Sequence, residues 1–587
     1  MKKQFQRAGC RAVAFVSSGR VLASAMLCAL VLGMPNLAAE NLRFDEAARI
    51  VVQSGGRKKP LDTFAAESLQ TISGRRSLKD PQTGRRIGSM DALLSMWFGG
   101  RNWNDFPVVL VSDANLKRAL GLPTTERLFP FGTFVQSVAF REIEDGIRSK
   151  RARNEDLNRM EKEAEAVFTR MRLLNDIVSG EALKIVPSAD DPKAAWVSIA
   201  KGDAASAGQG SGELSGLLGR VSASYLSEDA RGFDSNALEL RSRLERAATG
   251  VYPTPGAIGR ELHYNRLHPF RWAWMLYLAS LVALWMRRSI RGGLVIFGAG
   301  LAMHLYGFGL RCWVAGRAPV TNMYESIVWV SLGVAGLAFA FGLIYRAKVY
   351  LGTAAPLAVL GLILADSLPS VFNASIGPLP PVLRDNFWLV THVLSIALGY
   401  AALALAMGLG HVTLGLSLLK PASLSEQSQI HQLLYRALQV GVLLLAVGTI
   451  LGGVWANYSW GRFWGWDPKE TWALIALLLY IFALHGRLAG WWGNFGLSVA
   501  AAVCFNGVLM AWYGVNFVLG TGLHSYGFGG GGVEWVAGLV AFDLLFIAVC
   551  VAAHLKKGGL HPNISKTVVR SRPSSGTLRP ASLTGGD

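Results

Sequence analysis

The chain has 587 residues, 51% of them apolar, with 58 Lys and Arg against 39 Asp and Glu, a formal net charge of +19. That length allows more than one domain. The basic residues gather in the first twenty positions, in short loops between apolar segments and after Lys556. This is the charge pattern of a membrane protein oriented by its loops, and it excludes a nucleic-acid partner.

In chain order, Lys2, Lys3, Arg7, Arg11 and Arg20 precede an apolar run from Val21 to Met34, then Pro35-Asn36-Leu37-Ala38-Ala39. A charged start, an apolar centre and small residues describe a signal peptide over 1–39, with an uncleaved membrane anchor as the alternative. Either places the following segment outside the cytoplasm.

Residues 40–265 contain no spanning run and read as a soluble extracytoplasmic domain, mixed or mainly α. Leu157, Met160, Ala164, Phe168, Met171 and Leu174 recur at helical spacing, which predicts an amphipathic helix from about Asn154 to Val178. Val51 to Phe64 reads as a strand, a basic turn and a helix start. The turn suits either an anion or solvent. Ala204 to Gly219, rich in Gly, Ser and Ala, reads as a flexible insertion. No catalytic constellation stands out here.

Residues 266–555 form a series of apolar runs near the twenty residues a bilayer requires, which predicts a membrane α-helical bundle. About nine spans are expected: 270–286, 293–311, 323–345, 349–368, 387–418, 437–457, 471–486, 494–518 and 534–555. Arg287, Arg288, Arg291, Arg346, Lys348, Lys420, Arg436, Arg487, Lys556 and Lys557 flank one set of loops, which belongs on the cytoplasmic side with the basic tail 556–587. The five cysteines, Cys10, Cys28, Cys312, Cys504 and Cys550, form no CxxC pair and read as small buried hydrophobes.

Trp460, Trp464, Trp466 and Trp472 crowd the outward loop 455–472. Indoles are poor filler for a solvated loop, so the cluster reads as a platform for a flat apolar ligand, or else as part of an interfacial aromatic belt. Asp467 is placed to cap or pin the loop. Ionisable groups inside a membrane are costly and default to functional candidates. His304 lies roughly 16 Å from the inner face at the helical rise, and His485 lies in the inner half of its span. His392 and His524 fall at the outer surface beside the tryptophans. Neutral imidazoles in pairs suit the axial positions of heme iron, although each taken singly also suits helix packing. His411 has no obvious partner and is left to packing; His263, His268, His431, His554 and His561 read as interfacial or solvated.

The run Trp464-Gly465-Trp466-Asp467-Pro468-Lys469-Glu470-Thr471-Trp472 resembles the WWD domain of heme-handling proteins. Together with Gly316-Arg317-Ala318-Pro319-Val320-Thr321-Asn322-Met323-Tyr324-Glu325-Ser326 and Gly522-Leu523-His524-Ser525-Tyr526, it resembles the CcsA/ResC component of the System II cytochrome c synthetase, over about 270–555. The resemblance implies heme b as cargo, held in the bilayer by His304 and His485 and then at an outer site by His392 and His524. There its vinyl groups meet the thiols of a CxxCH motif in apocytochrome c. It implies a multi-pass protein of the bacterial inner membrane, with no residue assigned to catalysis. No ResB-like membrane half is recognisable in the first 265 residues, so a separate ResB-like partner, or the soluble domain itself, is expected to take that role. Two other readings stay open: a heme transporter or chaperone without ligation activity, and a di-heme b-type electron-transfer protein.

Overall fold

The computed structural model describes residues 42–187, 194–199, 211–247, 250–286, 290–367, 372–378, 386–419, 424–524 and 532–556. The leader segment, Cys10, Cys28, Ser525, Tyr526 and the tail after Lys556 lie outside them.

One apolar core gathers side chains from Ala47 to Leu262 and a second from Phe270 onward. The first is built on the helices Leu61–Ser73, Ser89–Phe98 and Arg159–Val178, with three antiparallel two-stranded hairpins around them. The amphipathic helix begins at Arg159, not near Asn154. Asn158 accepts the Glu161 N–H while the Glu161 carboxylate takes the Asn158 N–H, a reciprocal cap that fixes the start. Asn154, at φ 60°, lies just past the end of the preceding helix Val138–Ala152. Ala164, Val167, Leu174 and Ile177 then face the core.

The basic turn takes a different form from that expected. Gly55 and Gly56, both at positive φ, make the turn, and Arg57–Pro60 is the returning strand, paired with Val51–Ser54. Arg57 is held by both oxygens of Glu261 at 2.7 and 2.8 Å, and Lys59 pairs with Glu67. These cations are neither solvated nor free for an anion. The Gly/Ser/Ala stretch is helical from Ser211, as the helix Ser211–Leu226, with Leu217, Val221 and Tyr225 buried.

Among the described residues, eight helices are long and apolar enough to cross a membrane. They are Ile290–Ala315, Met323–Tyr345, Lys348–Ser367, Asn386–Leu419, Leu424–Trp460, Pro468–Leu488, the broken segment Asn494–Leu519 and Val533–Lys556. The expected first span is the helix Pro269–Trp285, whose 17 residues reach about 26 Å, just short of a ~30 Å hydrocarbon core. The count of nine therefore becomes eight plus this shorter helix. The chain is a multi-pass membrane protein.

Successive helices alternate in direction, so Ala315, Met323, Trp460, Pro468, Leu519 and Val533 gather at one end and Arg346, Lys348, Arg487 and Lys556 at the other. The N-terminal part sits on the first of these ends. Arg57 donates to the Ile376 carbonyl at 3.1 Å, and Arg159 pairs with Glu534.

Three local departures shape the site. Trp455 to Trp460 complete the 37-residue helix Leu424–Trp460, and Pro468 opens the next helix, so the loop shrinks to Gly461–Asp467 and Trp472 leaves it. The span Asn494–Leu519 breaks after Val503 and widens into a π-helix over Met510–Leu519, a form common at functional sites. His411 does have a partner, Asp543 of the last helix.

Candidate functional site

The site begins with two long helices that pack unusually close. A Cβ on Gly448 would lie 2.6 Å from the Ile396 backbone, and one on Gly452 would lie 2.6 Å from the His392 ring. Only glycine allows this approach. It brings His392 Nδ1 within 2.7 Å of the Gly448 carbonyl. A carbonyl only accepts, so Nδ1 carries the proton and Nε2 keeps its lone pair.

His524 is prepared from the other side. Asp467 caps the helix Pro468–Leu488 and shares a capping box with Glu470. The same carboxylate accepts the Leu523 N–H at 2.6 Å and His524 Nδ1–H at 2.8 Å. Burial alone would raise the Asp467 pKa, but the hydrogen bond from His524, the charge of that ring when protonated, and the N–H groups of Lys469 and Leu523 hold it down to about 2. Asp467 is therefore an anion at neutral pH and orients His524 so that Nε2 faces outward from the bond as a lone pair. A carboxylate behind an imidazole is a recurrent way of fixing a metal-ligating histidine. Gly522, at φ 96°, has no room for a side chain, since a Cβ would meet Asp467 Oδ2 at 2.4 Å.

Trp455 packs near both imidazoles. Its ring lies 6.3 Å from His392, nearly parallel, and 5.9 Å from His524. Trp460 meets His524 edge-on at 4.9 Å and Trp455 at 4.6 Å. Trp464 lines the cleft with Phe463, Tyr400, Trp512 and Lys469. Trp466 points away, 68% exposed and at positive φ, with its ring edge on Trp464. Trp472 is half-buried on its helix and does not line the cleft. The structure thus joins His392, His524, Trp460, Trp464 and Asp467, and sets Trp466 and Trp472 outside.

Sequence reasoning missed Trp455, Asn516 and the two glycines. Trp455 lies five residues before Trp460 on one helix, a spacing that carried the only available signal. Trp455 Nε1 and Asn516 Oδ1 are buried in the cleft wall without a hydrogen-bond partner. Orphaned polar atoms beside two prepared lone pairs are the donor chemistry of a site awaiting a ligand. The cleft volume is about 150 Å³. Pockets that enclose a cofactor-sized molecule run to roughly 300–1,000 Å³, so the cleft at this width does not enclose a macrocycle.

The inner histidines differ. His304 is fully buried, 3.3 Å from the Tyr277 hydroxyl, packed on Phe270, and its Nε2 has no partner. His485 is exposed and bonds only its own helix at the Ile481 carbonyl. They share no hydrogen bond or ring contact, and their helices pack chiefly on different neighbours. Among the described residues, no contact joins His304 to His485.

The strip before the helix Met323–Tyr345 is fixed by a buried carboxylate. Glu325 accepts from Arg311 at 2.8 Å and from the Thr321 N–H at 2.9 Å, while Arg311 also reaches the Ala374 carbonyl. Asn322 and Met323 line the cleft at this strip.

A helical bundle with a histidine- and tryptophan-lined cleft at the end bearing a folded N-terminal part defines a class of membrane protein built around a buried ligand site. The family described as Cytochrome C assembly protein matches residues 320–524, which contain both cleft histidines. The chain is 34% identical over 252 residues to the cytochrome c biogenesis protein CcsA of Prochlorococcus marinus (strain NATL1A), covering 37% of this chain and 79% of that one. It is 33% identical over 286 residues to CcsA of Synechococcus sp. (strain CC9605), covering 43% and 93%. It is also 29% identical over 502 residues to Protein NrfI of Wolinella succinogenes, covering 81% of this chain and 54% of NrfI. The chain belongs to the CcsA-type cytochrome c biogenesis family. It spans about half the length of NrfI, and a match to 81% of this chain is more than the membrane part can supply, so that likeness reaches into the N-terminal part.

Proposed function

We propose that this chain receives heme b as cargo, ligates its iron between His392 and His524 at the outer face, and presents it to the CxxCH motif of an apocytochrome c. The observation that carries this is the matched preparation of the two imidazoles. Each has Nδ1 committed, one to the Gly448 carbonyl and one to Asp467, so each offers Nε2. Trp455 and Trp464, with Trp460 packed behind Trp455 and His524, supply the aromatic surface against which a porphyrin gains burial and stacking.

The chemistry asked of the chain is placement. Each cysteine thiol adds across a vinyl C=C, sulfur bonding one carbon and the proton ending on the other, with no net oxidation. Fixing thiol and vinyl groups in contact can remove roughly 7–11 kcal/mol of barrier. The outer face is assigned to the cleft and the N-terminal part because the flanking cations gather at the opposite end.

His304 and His485 are proposed as inner-level ligands, but separately. His485, exposed on the bundle surface, requires its second ligand from another chain, which is the role we assign to a ResB-like membrane partner.

The test is co-expression with a CxxCH apocytochrome and a ResB-like partner in cells lacking other maturation systems. Covalent heme on the apocytochrome is the expected result. A membrane-inserted protein that binds heme but yields no thioether identifies a transporter, and one that yields neither refutes the reading.

A further inference from the structure

A second and larger cavity, about 1110 Å³, lies between the N-terminal part and the membrane helices. Seven arginines but only four carboxylates line it. Three of those carboxylates, Glu67, Glu261 and Asp366, are taken by Lys59, Arg57 and Arg271, and Asp62 accepts from Asn265. Arg75, Arg76, Arg86 and Arg127 have no carboxylate within ion-pair distance among the described residues; Arg76 and Arg86 bond only the neutral Gln70 and Ser77. The same cavity is lined by Phe270, Trp274, Tyr264 and Tyr324, and the four arginines reach it from its solvent-exposed rim. Guanidiniums without a carboxylate partner and aromatic rings lining one cavity suit a molecule with carboxylates at one edge and a flat apolar body. Asn322 and Met323 line both this cavity and the histidine cleft, so one short strip of backbone separates them.

We infer that this chamber is a second binding site for an amphipathic anion with a flat ring, namely the heme cargo held by its carboxylates on Arg75, Arg76, Arg86 and Arg127, beside the cleft and without ligation of its iron. The inference rests on the proposed function for the identity of the cargo. It differs in using carboxylates and not iron. The volume of the chamber accommodates a macrocycle that the cleft does not at its present width. The Asn322–Met323 strip, anchored through Glu325, is the gate between the two sites.

The experiment uses metal-free protoporphyrin IX, which has both carboxylates and the ring but nothing for an imidazole to ligate. Its fluorescence is titrated against the full-length protein in detergent, for wild type and for the R75Q/R76Q/R86Q/R127Q variant, with the dimethyl ester as control. Saturable binding to wild type is expected, weakened at least about tenfold in the variant, and the ester should bind wild type no better than the diacid binds the variant. The variant loaded with hemin must keep the six-coordinate bis-imidazole component of the wild-type spectrum, which reports an intact His392–His524 cleft, while any component from unligated heme falls. Equal binding of diacid by wild type and variant, or of diacid and ester by wild type, overturns the chamber and leaves the proposed function standing. If the variant instead releases co-purified phosphatidylglycerol while its protoporphyrin binding is unchanged, the chamber holds lipid and the heme assignment fails. Loss of hemin binding in wild type refutes the proposed function itself.

Discussion

The outer and inner histidines of this bundle are prepared to different degrees. At the outer end, backbone and carboxylate partners commit one ring nitrogen of each imidazole and leave the other as a lone pair. Deeper in, His304 is enclosed without a second histidine and His485 looks away from the bundle. A ligand site is made by what stands behind the ligand, and only the outer pair has that support within one chain.

The largest effect that can break this contrast comes from the ligands themselves. His392→Ala or His524→Ala should abolish bis-imidazole ligation and cytochrome c maturation, with added imidazole restoring the spectrum in part. Unchanged spectra in both variants would erase the distinction between the two levels. Next comes Arg311→Met, which removes the closer of two cations from the buried Glu325 carboxylate and leaves Arg317 at 3.5 Å. Breaking a buried pair costs about 3–5 kcal/mol, so the apparent unfolding temperature of the purified protein should fall sharply, and a stability equal to wild type would show that the strip is anchored otherwise.

Asp467→Asn sharpens the comparison further. The amide oxygen still accepts the Nδ1 proton but carries no charge, and loss of such a partner typically costs 10–100-fold in metal affinity. Hemin titration should show a drop of that order, with no matching change on altering the inner residues. The same carboxylate predicts an acid limit. Its pKa is about 2 when folded and close to the ordinary aspartate value when unfolded. A depressed folded value contributes stability that is present above the unfolded pKa and is lost as pH falls through the folded one. The folding stability contributed by Asp467 in wild type should therefore be full above about pH 4 and be lost towards pH 2, and the acid limb of the unfolding profile should flatten in Asp467→Asn. The smallest effect is expected for His485→Ala in the isolated chain, because the second ligand proposed for it comes from another chain. A heme deficit that appears only when the ResB-like partner is co-expressed would fit, whereas an equal deficit without the partner would place an inner site within this chain.

The spans were readable because apolar length is a one-dimensional property, and the outer histidines because tryptophans marked their neighbourhood. What stayed hidden depends on helix-to-helix approach. Nothing local in Gly448 or Gly452 announces that the Asn386–Leu419 helix will press an imidazole against them. Trp455 was concealed by sitting inside an apolar helix, where an indole is ordinary. His304 and His485 looked paired because depth along a span is legible and direction around it is not. The basic run at Arg57–Lys59 read as a turn because its partners, Glu261 and Glu67, lie on other elements. The capping box at Asn158 was present in the sequence as Asn-x-x-Glu and would have corrected the helix start.

The most direct measurement is the absorption and resonance Raman spectrum of the hemin-loaded, detergent-purified protein, for wild type and the His392→Ala/His524→Ala double variant. The account predicts a six-coordinate bis-imidazole signature in wild type that disappears in the double variant and returns in part with imidazole. A six-coordinate spectrum identical in the two proteins would contradict it.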